Sequence, residues 1–243
     1  MSQPLEKSRE NLLPRHIAII MDGNRRWALQ HNVSRLAGHK KGIEAARRCV
    51  EAALEAGIEN LTLYAFSSEN WKRPKEEVDS LMGLLRLYIG SELKRMASSK
   101  VRLRFIGRRD NLPKDIKNLL EKAEEATRAN KKLLLTLAIN YGSHGEILGA
   151  VKKLGRSIKE GHLDPETLTE QDLSDALETG QAPDPDMVIR TGGEKRLSNF
   201  LLWQSAYAEL IFLDVYWPDF SAAFLNEAIE EFQSRDRRFG ARQ

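Results

Sequence analysis

The stretch His16-Ile17-Ala18-Ile19-Ile20-Met21-Asp22-Gly23-Asn24-Arg25-Arg26-Trp27 decides the fold. Ile17–Met21 is a short apolar run and reads as a buried strand. It ends abruptly in a carboxylate, a glycine and two arginines. The same phrase returns three times. Leu61–Phe66 is followed by Ser67-Ser68-Glu69-Asn70-Trp71-Lys72-Arg73-Pro74. Leu133–Ile139, nearly all apolar as a central strand should be, is followed by Asn140-Tyr141-Gly142-Ser143. Met187–Ile189 is followed by Arg190-Thr191-Gly192-Gly193-Glu194. In open α/β sheets ligands bind outside the carboxyl ends of the strands. Four strand ends carrying Asp, Asn, Ser, Arg and Gly therefore place a site on that rim.

Between these strands the apolar spacing is helical. Ile43, Ala46, Val50, Ala53 and Leu54 recur before a stop at Gly57. Val78, Leu81, Leu85, Ile89, Leu93 and Met96 mark a long amphipathic helix, and Pro113 opens another through about Arg128. Further helices are expected over Gly145–Ile158 and Phe220–Gln233, with a short one capped by Thr169 and Asp172. Val101–Ile106 alternates with Arg102 and Arg104 as an edge strand would, and Leu210–Val215 is a sixth strand. Strands alternating with helices predict an α/β fold: a single domain with a mainly parallel central sheet flanked by helices. Residues 1–15 read as a flexible polar arm, leaving 16–243 as the folded unit.

Composition agrees. The 243 residues are 41% hydrophobic and 30% charged, with a mean hydropathy of −0.48, which suits a packed core under a polar surface. Leu201–Trp217, interrupted by Gln204, Glu209 and Asp214, reads as buried core and not as a membrane span. The first residues carry charges with no apolar block behind them, so no signal peptide is expected. The single Cys49 lies in a helical pattern and cannot form an internal disulfide, which points to a reducing, cytoplasmic setting. A net charge of +3, from 38 basic and 35 acidic residues, excludes a nucleic-acid coat.

Asp22 at a strand end either holds Mg²⁺ against a pyrophosphate or caps the following helix. Gly23 allows close backbone approach. Arg26, Arg35, Arg73, Arg190 and Arg196 are candidate clamps for phosphate, and His39 a further donor. Trp27 and Trp71 either pack in the core or wall an apolar substrate. Glu209, just before an apolar strand, needs a cationic partner or a metal. No P-loop, dinucleotide fingerprint, H-E-x-x-H or Cys/His metal spacing is present, which excludes a nucleotide kinase, a dehydrogenase and a zinc hydrolase. The aspartate-rich D-D-x-x-D motif of all-helical prenyl synthases is missing too.

Together the His16–Trp27 block, Gly38-His39-Lys40, Leu63 through Pro74, Asn140-Tyr141-Gly142, Ile189 through Glu194 and Ser198 through Trp203, with Trp217-Pro218, resemble the cis-prenyltransferases, the bacterial undecaprenyl pyrophosphate synthases above all. The resemblance spans about His16 to Gly240. It implies a Mg²⁺-dependent homodimer that adds isopentenyl pyrophosphate units to farnesyl pyrophosphate. It also implies a cytoplasmic enzyme in transient peripheral contact with the inner membrane face. Carried over by position, it makes Asp22 the Mg²⁺-linked catalytic aspartate and Glu209 the second metal carboxylate, and puts Asn70 at the proton-acceptor position. Gly23, Asn24, Arg25, Arg26 and Trp27 become the allylic-substrate loop. Arg35, His39, Ser67, Ser68, Glu69, Trp71 and Arg73 are further substrate contacts, and Arg190, Arg196, Leu197 and Ser198 the isopentenyl pocket. Arg238-Phe239-Gly240 matches an element that reaches the partner subunit. Two departures, Ser143-His144 and Lys195, bear on local hydrogen bonding and the metal shell. A growing product needs an apolar tunnel beside the sheet, with Ala65, Leu81, Leu84, Leu85, Tyr88, Ile89, Leu133 and Leu135 as candidate walls.

Overall fold

All five residues of the first strand, β1 (His16–Ile20), are buried. Alternation sends Ile17 and Ile19 to one face of the sheet and Ala18 and Ile20 to the other, and each large aliphatic side chain so buried contributes roughly 1.5–3 kcal/mol. The structure, a computed structural model, describes residues 13–180 and 182–235, without the side chains of 91, 92 and 94–97. After β1 come α1 (Asn24–Gln30), α2 (Arg35–Glu55), β2 (Asn60–Ser67), α3 (Lys75–Ser98), β3 (Val101–Ile106) and α4 (Lys114–Thr127). They are followed by β4 (Leu133–Tyr141), α5 (Ser143–Lys159), α6 (Glu170–Ala176), β5 (Met187–Arg190), β6 (Glu209–Phe212) and α7 (Ala222–Ser234).

The six strands form one sheet in the order β3-β4-β2-β1-β5-β6. Every neighbouring pair is parallel, so the sheet expected to be mainly parallel is wholly so. The chain moves outward from β1 to β2 on one side and returns to β5 on the other. Strand order thus reverses at β1, and a crevice opens at its carboxyl end. The larger core lies on the face shared with Cys49, Met82, Ile116 and Phe232; a smaller one around Tyr141, Phe200 and Leu201 covers the other. Cys49 is fully buried, and burial pushes its thiol up to about 12.

Several expectations need correction. α1 is a separate helix that the apolar spacing did not reveal; it stops at Asn32, whose φ of 53° is left-handed. α2 begins at Arg35, capped by Ser34 Oγ accepting from Ala37 N–H at 3.2 Å, two turns before the first apolar signal. Its opening turns carry polar residues, so periodicity is silent there. β6 ends at Phe212 and not Val215, because the Leu213 and Val215 carbonyls accept from Gly193 and Gly192 and bend the chain around that turn. The Leu201–Trp217 window is not uniformly core: Leu201, Ile211 and Trp217 are buried, but Tyr207 is 74% exposed and Leu210 and Phe212 lie half-open on the edge strand. At the N-terminus Arg15 N–H donates to Asp186 Oδ2 at 2.8 Å; the rest of the expected arm, 1–12, lies outside the described residues, as does Arg238-Phe239-Gly240. Among the described residues no helix is long and apolar enough to cross a membrane.

Candidate active site

A cleft of about 1220 Å³ opens at the carboxyl end of β1. Its mouth is polar, lined by Asp22 through Arg26, Arg35, His39, Ser67, Glu69, Asn70, Arg73, Glu77, Arg190, Glu194, Arg196, Ser198 and Asn199. Its floor is apolar, lined by Ile43, Ala46, Leu63, Ala65, Leu81, Met82, Leu84, Leu85, Tyr88, Leu135, Leu137 and Ile139. The sheet and α3 thus present aliphatic groups directly beneath the charges.

Asp22 is positioned from both neighbours. Its backbone N–H donates to Thr191 Oγ1 at 3.0 Å, and the Thr191 hydroxyl donates back to the Asp22 carbonyl at 2.7 Å. The carboxylate receives Arg190 Nη2 on Oδ2 at 2.8 Å and faces Arg26 Nη2 from Oδ1 at 3.2 Å. Partial burial alone would raise its pKa, but the Arg190 hydrogen bond and the two guanidinium charges outweigh it and hold the carboxyl below its ordinary value. Arg190 itself is buried; its Nη1 donates to Ser198 Oγ at 2.7 Å and to the Arg196 carbonyl. Its Nε, also buried, has no partner.

Glycines let these segments meet. Gly23, at φ 110°, caps α1, and a Cβ there would lie 2.8 Å from Tyr216 Cδ1. Gly38 and Gly42, one turn apart on α2, accept Asn24: a Cβ on Gly42 would stand 2.2 Å from Asn24 Oδ1. On the opposite wall Ala65 is an extra residue where the β2–β4 register slips between Tyr64 and Phe66. Such a bulge re-aims the residues beyond it, and Ala65 is exposed to the cleft between half-buried Tyr64 and buried Phe66.

The segment after β2 is a 3-10 turn closed by a capping box, in which Asn70 Oδ1 accepts from Ser67 N–H at 3.1 Å. That commits the oxygen of Asn70 and leaves its amide NH₂ as the group available to a ligand. The Ser67 hydroxyl donates to Glu69 Oε2, as does Ser68 Oγ at 3.1 Å. Glu77, to which the strand-end pattern does not point, accepts from Arg35 Nη1 at 3.2 Å and Arg73 Nη1 at 3.0 Å. Glu194, a strand-end residue with no role expected of it, lies 3.6 Å from Arg26 and 2.5 Å from Arg196. Arg73 followed four residues later by an acid is the sequence signal for Glu77. His39 has a lowered pKa, from burial first and the Arg73 charge second, against Glu77, so its imidazole is neutral at pH 7.

The remaining expected contacts are elsewhere. Trp27 does not line the cleft: its Nε1 donates to Asp219 Oδ1 at 2.8 Å and its ring stacks on His31. Trp71 donates to Asn140 Oδ1 at 2.7 Å and packs edge-to-face on Phe66, behind the cleft wall. Ser68 and Leu197, both half-buried, do not line the cleft, and Ser68 borders a smaller cavity with Asn140 and Gly142; Ile89 and Leu133 are buried core. Glu209 opens β6, paired with Met187 at the start of β5, so within one chain it sits on the opposite rim of the sheet from Asp22. Arg235 Nη1 donates to its carboxylate at 2.8 Å, which meets its need for a cation. His144 and Lys195 are exposed and outside the lining.

The residues of this mouth fit a Mg²⁺ ion shared with phosphate oxygens. Among the described residues no three His, Cys, Asp or Glu converge as a protein cage, yet Mg²⁺ is content with one carboxylate plus phosphate oxygens and water. Asp22 is ionised, a third exposed, and supplies that carboxylate.

A cationic mouth over an aliphatic floor defines a protein for amphipathic phosphate esters, with one end gripped by guanidinium groups and the other buried in hydrocarbon. The prenyltransferase family model for undecaprenyl diphosphate synthase matches residues 20–240. The chain is 52% identical over 229 residues to an isoprenyl transferase of Agrobacterium fabrum, covering 94% of this chain and 93% of that one. It is 46% identical over 237 residues to the ditrans,polycis-undecaprenyl-diphosphate synthase ((2E,6E)-farnesyl-diphosphate specific) of Pseudomonas aeruginosa, covering 97% and 94%. Lavandulyl diphosphate synthase from Lavandula x intermedia, solved with dimethylallyl diphosphate, superposes with a TM-score of 0.92 at 35% identity, over 94% of this chain and 99% of that chain. The chain belongs to the undecaprenyl diphosphate synthase family and is a cis-prenyltransferase.

Proposed function

We propose that this cis-prenyltransferase adds isopentenyl pyrophosphate repeatedly to farnesyl pyrophosphate and releases undecaprenyl pyrophosphate, the lipid carrier precursor for cell-wall glycan synthesis. One observation carries the reading: the arginine-rich mouth and the aliphatic floor belong to one continuous cleft. The Pseudomonas aeruginosa relative is named as farnesyl-diphosphate specific, which supports that primer. The catalytic domain is assigned to residues 16–243.

In this reading Asp22 and the Gly23–Arg26 loop hold the allylic pyrophosphate, with Arg35, His39 and Arg73 closing over it. Arg190, Arg196 and Ser198 hold the isopentenyl unit. Asp22 would hold Mg²⁺ there, and the ion would supply neutralisation of the charge that develops on the pyrophosphate. The arginines add preorganised stabilisation of the same charge. The isopentenyl double bond then joins the exposed allylic carbon, and loss of a proton sets the cis alkene. A carboxamide is too weak a base for that proton. Asn70, with its oxygen committed to Ser67, donates from its NH₂ to orient the phosphate oxygen that accepts it. The tail extends into a tunnel along Ala65, Leu85 and Leu135, and each CH₂ buried contributes about 0.8 kcal/mol. Release is therefore slow without lipid, hence the peripheral contact with the inner membrane face. The half-open edge of β6, with Tyr207 exposed beside it, supports pairing into a homodimer.

Radiolabelled isopentenyl pyrophosphate with and without farnesyl pyrophosphate, followed by sizing of the products, tests this. Expected is growth that requires the primer and stops at eleven isoprene units (the count the name undecaprenyl states). Release of inorganic pyrophosphate without growth, or no turnover at all, would overturn it.

A further inference from the structure

Three non-glycine residues within four positions, Ser198, Asn199 and Leu201, have left-handed φ angles of 50°, 62° and 43°. Strain of this kind persists only where surrounding contacts over-determine it. Asn199 supplies them. Its Nδ2 donates to Glu69 Oε1 at 2.9 Å, its Oδ1 accepts from His144 N–H at 2.9 Å, and its carbonyl accepts from Ser143 N–H at 2.8 Å. The two amides are the first of α5, whose N-cap, Gly142, has no side chain to satisfy them. A Cβ on Gly142 would lie 2.5 Å from Ser68 Oγ and 2.7 Å from Asn199 Nδ2, so the bare glycine leaves room for the Asn199 amide. Asn199 therefore caps a helix from 55 residues away and binds it to Glu69, while its neighbour Ser198 holds Arg190.

We infer that Asn199 is a positioning residue that couples the isopentenyl pocket to the turn after β2, setting where Ser198 and Arg196 present themselves to a pyrophosphate. The inference rests on reading Arg190, Arg196 and Ser198 as that pocket. The contact is directional: amide NH₂ to carboxylate. Asn199→Asp puts two carboxylates in contact, a repulsion relieved only when one of them takes up a proton. Asn199→Asp with Glu69→Gln restores donor and acceptor in reverse, leaving Ser67 and Ser68 an acceptor.

The test measures KM for isopentenyl pyrophosphate and kcat, at saturating farnesyl pyrophosphate, from about pH 5.5 to 8.5, each as a ratio to wild type. Asn199→Asp should raise KM about 10- to 100-fold at the alkaline end, the scale of a lost charge-assisted hydrogen bond, with the deficit shrinking towards acid. The double variant should return to within about threefold of Glu69→Gln alone. A deficit equal at every pH and unrelieved by Glu69→Gln marks a merely structural residue and overturns the inference. Should Asn199→Asp fail to fold, Asn199→Gly keeps the left-handed backbone without the amide bonds and must show the same rise in KM; an unchanged KM overturns it. Arg196→Ala separates the two levels. If it leaves KM unchanged the pocket reading falls and the coupling with it; if it raises KM while Asn199→Asp does not, the coupling alone is wrong.

Discussion

The mouth of the cleft and its floor lie side by side on the same sheet yet are built by opposite rules. At the mouth, side chains arrive from separate segments after β1, β2 and β5 and from α2 and α3, and each is fixed by directional bonds: Asp22 by Thr191 and Arg190, Arg73 by Glu77, Asn70 by Ser67. On the floor, Leu85, Leu135 and Leu137 need only fill space, and no bond specifies them. Misplacing a charged group by an ångström costs rate, whereas altering an aliphatic side chain alters volume. The two regions should therefore fail in different ways, the mouth in how fast a unit is added and the floor in how many are added.

Asp22→Ala is the sharpest way to break that division. Its kcat should fall by about 10²–10³-fold, the scale for one preorganised electrostatic element, with the product ladder unchanged. A shifted ladder, or near-normal turnover at saturating Mg²⁺, would remove the distinction. Gly38→Ala comes next. The methyl would stand 2.5 Å from the Asn24 backbone carbonyl oxygen, so α1 must shift against α2, costing roughly 1–3 kcal/mol of stability and slowing turnover, again without altering product length. Both are read by thermal melting and steady-state rates.

On the floor, Ala65→Leu projects into open cleft and should truncate the products, with the first addition slowed less than about tenfold. Leu133, the next residue on the Leu135 face and already buried, tests the far end: Leu133→Ala should lengthen products, at some cost in stability. Unchanged products from both would mean that the volume of the floor does not set product length. The smallest effect is on acid stability. His39 has a folded pKa below its ordinary value of about 6.5, so the unfolded chain binds more protons. Its contribution is complete above that value and is lost as pH falls through the folded one. His39→Gln should flatten this part of the acid-side slope in denaturant titrations, and Ala65→Leu should leave it intact.

Much of this was legible in the chain. Each polar cluster follows an apolar run, and in a parallel sheet that pattern already states which rim it occupies. Glu209 carried the same information in reverse: a carboxylate just before a strand belongs to the amino rim, away from Asp22. Trp27 and Trp71 could not be placed from sequence, because what turns each indole is a distant acceptor, Asp219 or Asn140. The bulge at Ala65 and the reach of Asn199 depend on register and on contacts across the fold, which local patterning does not encode. Glu77 was within reach through its spacing from Arg73, but its second partner, Arg35, was not.

Arg26, Arg35, Arg73, Arg190 and Arg196 each already face a carboxylate from Asp22, Glu77 or Glu194. The protein thus supplies its own counter-ions. A monovalent anion entering such a site gains little, since it must first displace a tethered competitor of equal charge. A doubly charged head with several oxygens can take over two guanidinium groups at once and free Asp22 for the cation it brings. Discrimination against the abundant small anions of a cell is in this way built into the ion pairs themselves, before any substrate carbon has been recognised.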